Sequence, residues 1–309
     1  MKRRFVPVLL FTLLSLLLAS CAPIAPTSPT AVQPIILTDA LGREVSLAQP
    51  AQKIVSTAPS NSEILFAIGA GAQVIARDDF TNYPPEALDL PSVGGMSGFN
   101  LEAITALQPD LVLVAEINTA EDVKALEDLG LTVYMVPNPT DLEGLYTNLV
   151  NVGKMTGREA EAAALAEELK ARVEAVTQAV ASVETRPSVF YELDGSDPAK
   201  PWTSGPGTFI DLLINMAGGQ NAVTVDSPWV QLSLEELIVT DPDFILLGDS
   251  TWGGVTPEMV AERAGWNALS AVQNGKVLPF NDDLVGRPGP RLVDGLEELA
   301  KILHPDLVK

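Results

Sequence analysis

A single cysteine and a single histidine in 309 residues remove whole classes of chemistry. One cysteine, Cys21, permits neither an internal disulfide nor a site built on several thiolates. His304 stands alone in "LHPD", where it reads as a helix-terminal residue. A zinc- or manganese-type centre draws on several His or Cys ligands, so no such site is expected. A Ser-His-Asp or Cys-His set would have to be built on that one imidazole. Phosphate-binding loops are missing too. "GAGAQV" (69–74) follows a helical pattern rather than a strand, and "GGMSGF" (94–99) lacks the last glycine of a nucleophile elbow. Basic residues number 19 against 40 acidic ones, a net charge of −21. Phosphate backbones repel a protein of that charge, which excludes nucleic acid as a partner. The enzyme class left open is a hydrolase using two carboxylates, and no pair is marked out for that role.

The N-terminus carries an address. Lys2, Arg3 and Arg4 precede an apolar run from Phe5 to Leu18. About fourteen residues are too few to span a bilayer but suit the apolar segment of a signal peptide. The run ends in "LLAS" before Cys21. Positive residues, apolar run, small residues and cysteine in register predict a lipoprotein signal over 1–20, cleaved before a lipidated Cys21. An ordinary signal peptide ending near a cysteine is the alternative. Its removal leaves 16 basic and 40 acidic residues, a charge of −24. The uncharged "APIAPTSPTAVQP" (22–34), with four prolines, cannot form a core and reads as a tether.

Beyond it, with 47% hydrophobic residues in the chain as a whole, short β-like runs alternate with helical patterns, which predicts an α/β fold with parallel-type sheets. Strands are expected at 53–57, 73–77, 111–115, 132–136, 188–193, 244–247 and 276–279. Helices are expected from Ser60 with Glu63 as a capping box, over 101–107 and 119–129, from Thr140 with Glu143, over 208–217, from Ser233 with Glu236, and over 291–303. Thr156 with Glu159 reads as a further capping box, opening one helix to about Val183. At roughly 37 Å it is too long for a crossover in a small sheet and suits a rigid link between lobes. The expected organisation is therefore a first lobe over 35–155, an interlobe helix over 156–183 and a second lobe over 184–309, with a ligand cleft between the lobes.

An internal echo supports two related lobes. "LEAITALQPDLVLVAE" (101–116) and "LEELIVTDPDFILLGD" (234–249) align without gaps with five identities, each a helix, a Pro-Asp turn and a buried strand. Aromatics make up only 6% of the chain, yet Phe80, Tyr83, Phe99, Trp202, Trp229 and Trp252 fall between the periodic segments. Singly, such residues also serve to plug a core edge. As a set beside a cleft they suit a large, flat, partly apolar ligand. "DDLVGRPGPR" (282–291) adds Asp283, Arg287 and Arg291 in a loop fixed by glycine and proline. That group reads either as a local salt bridge or as oriented hydrogen bonds to a ligand's amides or carboxylates.

At these residues the chain resembles the substrate-binding proteins of ABC importers for cobalamin (vitamin B12) and iron–siderophore complexes. The resemblance runs from about Lys53 to Asp306 and rests on the order of "KIVSTAPSNSEILFAIGAG", "YPPEA", "PSVGG", "PWTSGPGTFIDLLINMAGGQN", "PWVQLSLEELIVTDPDFIL" and "RPGPRLVDGLEELAKILHPD". It implies two α/β lobes joined by one long helix, and a monomeric receptor with no reaction or resident cofactor of its own. The match looks closest to cobalamin receptors. Their pocket aromatics fall on Phe80, Trp202 and Trp229, and their aspartate–arginine pair on Asp283 and Arg287. A pocket tryptophan of the pattern is replaced by Met96. The two glutamates that dock such receptors on the permease dimer fall on Glu102 and Glu235, equivalent positions of the echo, where an acidic residue also favours a helix N-terminus. A ferric siderophore or haem is the alternative cargo.

Overall fold

The computed structural model describes residues 33–95 and 98–308. The expected signal peptide, Cys21, nearly all of the tether and Met96 lie outside the described residues.

The first lobe opens with a hairpin of β1 (Ile35–Thr38) and β2 (Glu44–Leu47). It continues through β3 (Ile54–Ser56), α1 (Pro59–Ala67), β4 (Val74–Ala76) and the two-residue strands β5 (Gly94–Gly95) and β6 (Gly98–Phe99). Then come α2 (Leu101–Leu107), β7 (Leu111–Ala115), α3 (Ala120–Glu127), β8 (Val133–Val136) and α4 (Leu142–Thr156). After α5 (Glu159–Ala179), the second lobe begins with β9 (Ser188–Asp194), β10 (Trp202–Ser204), α6 (Phe209–Met216), β11 (Gln220–Asn221) and β12 (Trp229–Gln231). It ends with α7 (Leu234–Thr240), β13 (Phe244–Leu247), the short helices α8 (Ser250–Gly253), α9 (Pro257–Ala261) and α10 (Ser270–Gln273), β14 (Val277–Pro279), α11 (Asp283–Gly286) and α12 (Leu292–Leu303).

The first sheet has the order β4-β3-β7-β8, all parallel. The second repeats it as β11-β9-β13-β14, again all parallel. Every residue of β7, β8 and β13 is buried, as parallel strands covered on both faces require. The echo of the sequence is therefore an echo of topology, and it extends to hydrogen bonds. Asn100 caps α2 and Ser233 caps α7, the latter with the expected reciprocal bond from its own N–H to the Glu236 carboxylate. Both helices end on a left-handed residue, Gln108 (φ 49°) and Asp241 (φ 42°), directly before a proline that cannot continue them. Asp110 then accepts from the backbone of Gln52 and Lys53 (2.8 and 2.9 Å), and Asp243 from the backbone of Ser188 (2.8 Å). Each aspartate ties its turn to the start of the neighbouring strand.

The second sheet departs from the parallel expectation at one edge. β10 pairs antiparallel with the C-terminal half of β9, and β12 pairs antiparallel with β10. Trp202 and Trp229, expected in loops, open these two strands.

The interlobe helix also differs from the expectation. Thr156 closes α4 instead of opening α5, its hydroxyl donating to Val152 and Gly153 carbonyls (2.9 and 3.2 Å). Gly157 then turns left-handed (φ 69°), a conformation that glycine adopts without strain, so the chain reverses before Glu159. The remaining 21 residues of α5 span about 31 Å. Ala162, Ala166, Leu169 and Val176 of α5 sit in one apolar core continuous from Ile54 and Leu65 in the first lobe to Leu213 and Leu296 in the second. Each fully buried Leu or Val contributes about 1.5–3 kcal/mol, so the helix is a spine with core on both ends. The expected caps at Ser60 and Thr140 shift as well. α1 has Ala58 at its N-cap and no side-chain cap, and α4 is capped by Asp141, which accepts from Gly144 (2.8 Å).

Candidate functional site

In a parallel sheet all C-terminal strand ends share one edge, and a crevice opens where neighbouring connections leave in opposite directions. In the first lobe that crevice lies between β3 and β7. Asn118 closes its floor, its Oδ1 accepting from Thr57 Oγ1 and Ala115 N (both 3.0 Å). Above it is a cavity of about 700 Å³. Thr57–Asn61 after β3, Ala115–Asn118 after β7 and Val136–Asn138 after β8 line it from the first lobe, with Asp78, Phe80 and Gly95. The second lobe contributes Trp229, Asp282, Asp283, Gly286, Arg287 and Pro288. A concavity of similar size between α5 and α12 is lined by the ion pairs of Arg172 with Asp294 and Glu297, and takes in none of these strand ends.

Two aromatics face this space from opposite lobes. Asp78 Oδ1 accepts from the backbone of Phe80 and Thr81 (2.7 and 3.1 Å), a turn that holds Phe80 outward and half-exposed. A Cβ at Gly95 would come within 2.9 Å of the Phe80 ring, so glycine permits that approach. Trp229, also half-exposed, stands at the start of β12. Trp202 pairs with Gln231 and Ser204 with Trp229, which puts both tryptophans on one face of the ribbon as diagonal neighbours. Trp229 lines the cavity and Trp202 does not.

The expected aspartate–arginine pair is formed, with Arg287 Nη2 2.7 Å from Asp283 Oδ1. It belongs to a larger network between the lobes. Glu63 of α1, 2% exposed, receives Arg291 through two bonds (Nη2 2.6 Å, Nε 3.0 Å) and Arg287 Nη1 at 3.3 Å. Asn82 accepts from Arg287 Nη1 (2.6 Å) and donates to Asp283 (3.0 Å), while Arg291 stacks 4.2 Å above the Tyr83 ring. Burial works against the Arg291 cation, but the hydrogen bonds and charge of Glu63 outweigh it and raise its pKa above the usual value. Both Nη groups of Arg287 thus have protein partners, while its Nε has none among the described residues. Glu63, read from sequence as half of a capping box, is the residue that reasoning missed. A glutamate standing directly before the apolar run Ile64–Phe66 is its signal.

The equivalent crevice of the second lobe, between β9 and β13, is filled by its own side chains. Arg263 forms a bidentate pair with the fully buried Glu192 (2.6 and 2.9 Å) and stacks on Trp266. Asp249 accepts from Gly195 N (2.8 Å), and Tyr191 donates to Asp282 (2.9 Å). Burial pushes Glu192, Asp249 and Asp282 above the ordinary carboxylate range, with Arg263 opposing the shift at Glu192 and Asp249.

Glu102 and Glu235 are the second residues of α2 and α7. Both are exposed, and neither forms an ion pair among the described residues.

Two lobes with repeated topology, a spine helix and a cleft at the strand ends are the architecture of a two-lobed ligand-binding protein. The chain belongs to the periplasmic binding protein family, whose model matches residues 54–284. It is 33% identical over 285 residues to an uncharacterized ABC transporter substrate-binding lipoprotein of Bacillus subtilis, covering 91% of this chain and 88% of that one. It is 31% identical over 282 residues to a vitamin B12-binding protein of Vibrio campbellii, covering 87% and 94%. Among solved structures, a periplasmic heme binding protein from Pseudomonas aeruginosa superposes with a TM-score of 0.74 at 26% identity, covering 83% and 94%. Family membership implies a substrate-binding role in transport, outside the cytoplasm.

Proposed function

We propose that this protein is the cargo-capturing lipoprotein of an ABC importer, that its cargo is cobalamin or a related corrinoid, and that it performs no reaction on it. The observation that carries this reading is the placement of Phe80 and Trp229 on opposite walls of one 700 Å³ cavity. A large ring system with apolar faces and amide-bearing edges fills such a space, with Trp202 extending the aromatic wall beyond it and Met96 as a further contact carried over from the family pattern. Asp283 and Arg287 present their remaining edges to the cargo's peripheral amides. Glu102 and Glu235 grip the two halves of the permease dimer, and Cys21 carries the membrane anchor.

The cavity lining also argues about charge. It holds Asp78, Glu116, Asp282 and Asp283 against Arg287 alone, and that arginine is already paired. An anionic ferric siderophore would meet repulsion there. Haem would find no His, Tyr or Cys ligand for its iron among the described lining residues. Purified protein mixed with cobalamin, desalted and scanned for absorbance tests the reading, with ferric hydroxamate and haem run beside it. Retention of the corrinoid spectrum supports it. Retention of either alternative without the corrinoid keeps the family and refutes the cargo.

A further inference from the structure

The two lobes treat the same topological crevice differently, and the difference locates a second recognition element. In the second lobe the crevice holds Arg263 on Glu192 and Gly195 on Asp249. In the first lobe it opens into the cavity, and the first turn of the nine-residue helix α1 stands on its wall. Pro59 brings no N–H, and Ala58 supplies no side-chain cap. The N–H groups of Ser60 and Asn61 have no acceptor among the described residues. A free helix N-terminus carries partial positive charge and aligned donors.

The independent observation is Asn61 itself. It lines the cavity, is 1% exposed, and neither Oδ1 nor Nδ2 has a hydrogen-bond partner among the described residues. Buried amides are satisfied in the great majority of proteins, so a bare one on a cavity wall marks a surface shaped for a ligand to complete. Nearby polar groups are already engaged with each other, as Asn118 is with Thr57 and Ala115.

We infer that the first turn of α1 together with Asn61 forms an acceptor-binding subsite, holding an oxygen of the cargo on Ser60 N–H, Asn61 N–H and Asn61 Nδ2. The inference rests on the cobalamin reading and deepens it. A corrinoid offers such an oxygen from two sources, the phosphate of its nucleotide loop and the carbonyls of its side-chain amides. Either one presents a lone pair where the helix end presents donors.

Calorimetric titration with cobalamin tests this on the wild type, Asn61→Ala and Asn61→Asp. Asn61→Ala should weaken binding about tenfold, the loss of one good hydrogen bond. Asn61→Asp replaces a donor by a carboxylate facing the acceptor and should weaken it about a hundredfold. Titration with cobinamide, which lacks the nucleotide loop, separates the sources. If the variants lose affinity for cobalamin only, the phosphate occupies the subsite, and if they lose it for both, an amide carbonyl does. Backbone hydrogen exchange at Ser60 and Asn61 in the wild type, which should slow when cobalamin is added, gives a readout independent of variant folding. Variants that bind cobalamin like the wild type, or unchanged exchange at both amides, overturn the subsite alone. A wild type that ignores cobalamin removes the cargo reading and the subsite with it.

Discussion

Removing the Glu63 carboxylate should loosen the junction between the lobes more than any other single truncation at the cleft. In Glu63→Ala, Arg291 loses two hydrogen bonds (2.6 and 3.0 Å) and Arg287 one at 3.3 Å. Breaking a buried ion pair by removing one partner costs about 3–5 kcal/mol. Here the loss is smaller, because the arginine side chains keep 16% and 13% exposure and retain Asp283, Asn82 and the Tyr83 ring. About 2–4 kcal/mol of unfolding free energy is therefore expected to go. Glu63→Gln keeps the shape and an acceptor oxygen, and should cost about half as much. Urea denaturation followed by tryptophan fluorescence measures both, with Arg291→Ala and the double variant completing a cycle. A coupling of about 1–3 kcal/mol between positions 63 and 291 is expected. Glu63→Ala within about 0.5 kcal/mol of the wild type, or a cycle that closes to zero, would refute the reasoning and leave α5 and the apolar core around it to hold the lobes together.

Other consequences follow from the charges and the spine. Glu102→Arg and Glu235→Arg should each slow association with the permease and leave cobalamin affinity unchanged, since a reversed interface charge adds repulsion where there was attraction. Equal loss of cargo binding would place these glutamates in the pocket instead. The raised pKa values of Glu192, Asp249 and Asp282 mean that the folded state holds protons the unfolded chain releases. Their contribution is present below the unfolded carboxylate range, about pH 4, and is lost as pH rises through the raised folded values. Asp39, held low because its bonds from Arg43 outweigh its burial, acts in the opposite sense. Asp249→Asn should flatten the decline of the urea midpoint with rising pH, and a wild-type midpoint that climbs steadily from pH 4 upward would contradict this. α5 has neither Pro nor Gly within it, so cargo should cause little change in lobe angle, and a large compaction in solution scattering would argue otherwise.

Much of this architecture is legible because local signals suffice for it. The helix Leu101–Leu107 and the strands Leu111–Ala115 and Phe244–Leu247 fall where periodicity and the Pro-Asp turns put them, and the repeated segments prove to be repeated topology. Caps were legible where side chain and backbone are neighbours, as at Ser233 and Glu236. At Glu63 the local pattern points to a cap, whereas its partners are 224 and 228 residues away, a distance that no local pattern encodes. The start of the spine helix is not legible because Thr156 satisfies its hydroxyl backward, on the helix it ends. The tryptophans of β10 and β12 look like loop residues because strands of three residues are too short to show alternation. Asn61 gives no signal in the sequence, since an asparagine in a first helical turn is ordinary, and only the cavity makes its bare amide notable.

The central claim is cargo capture between Phe80 and Trp229, and the most direct measurement is calorimetric titration of cobalamin into the wild type, Trp229→Ala and Trp202→Ala. Truncating a central aromatic anchor costs about 2–4 kcal/mol, roughly 30- to 1000-fold in Kd. Trp229→Ala should show that loss with its melting temperature preserved, since the side chain is half-exposed. Trp202→Ala, outside the cavity lining, should lose clearly less. Equal affinity for wild type and Trp229→Ala, or a Trp229→Ala protein that has merely unfolded, would contradict the account.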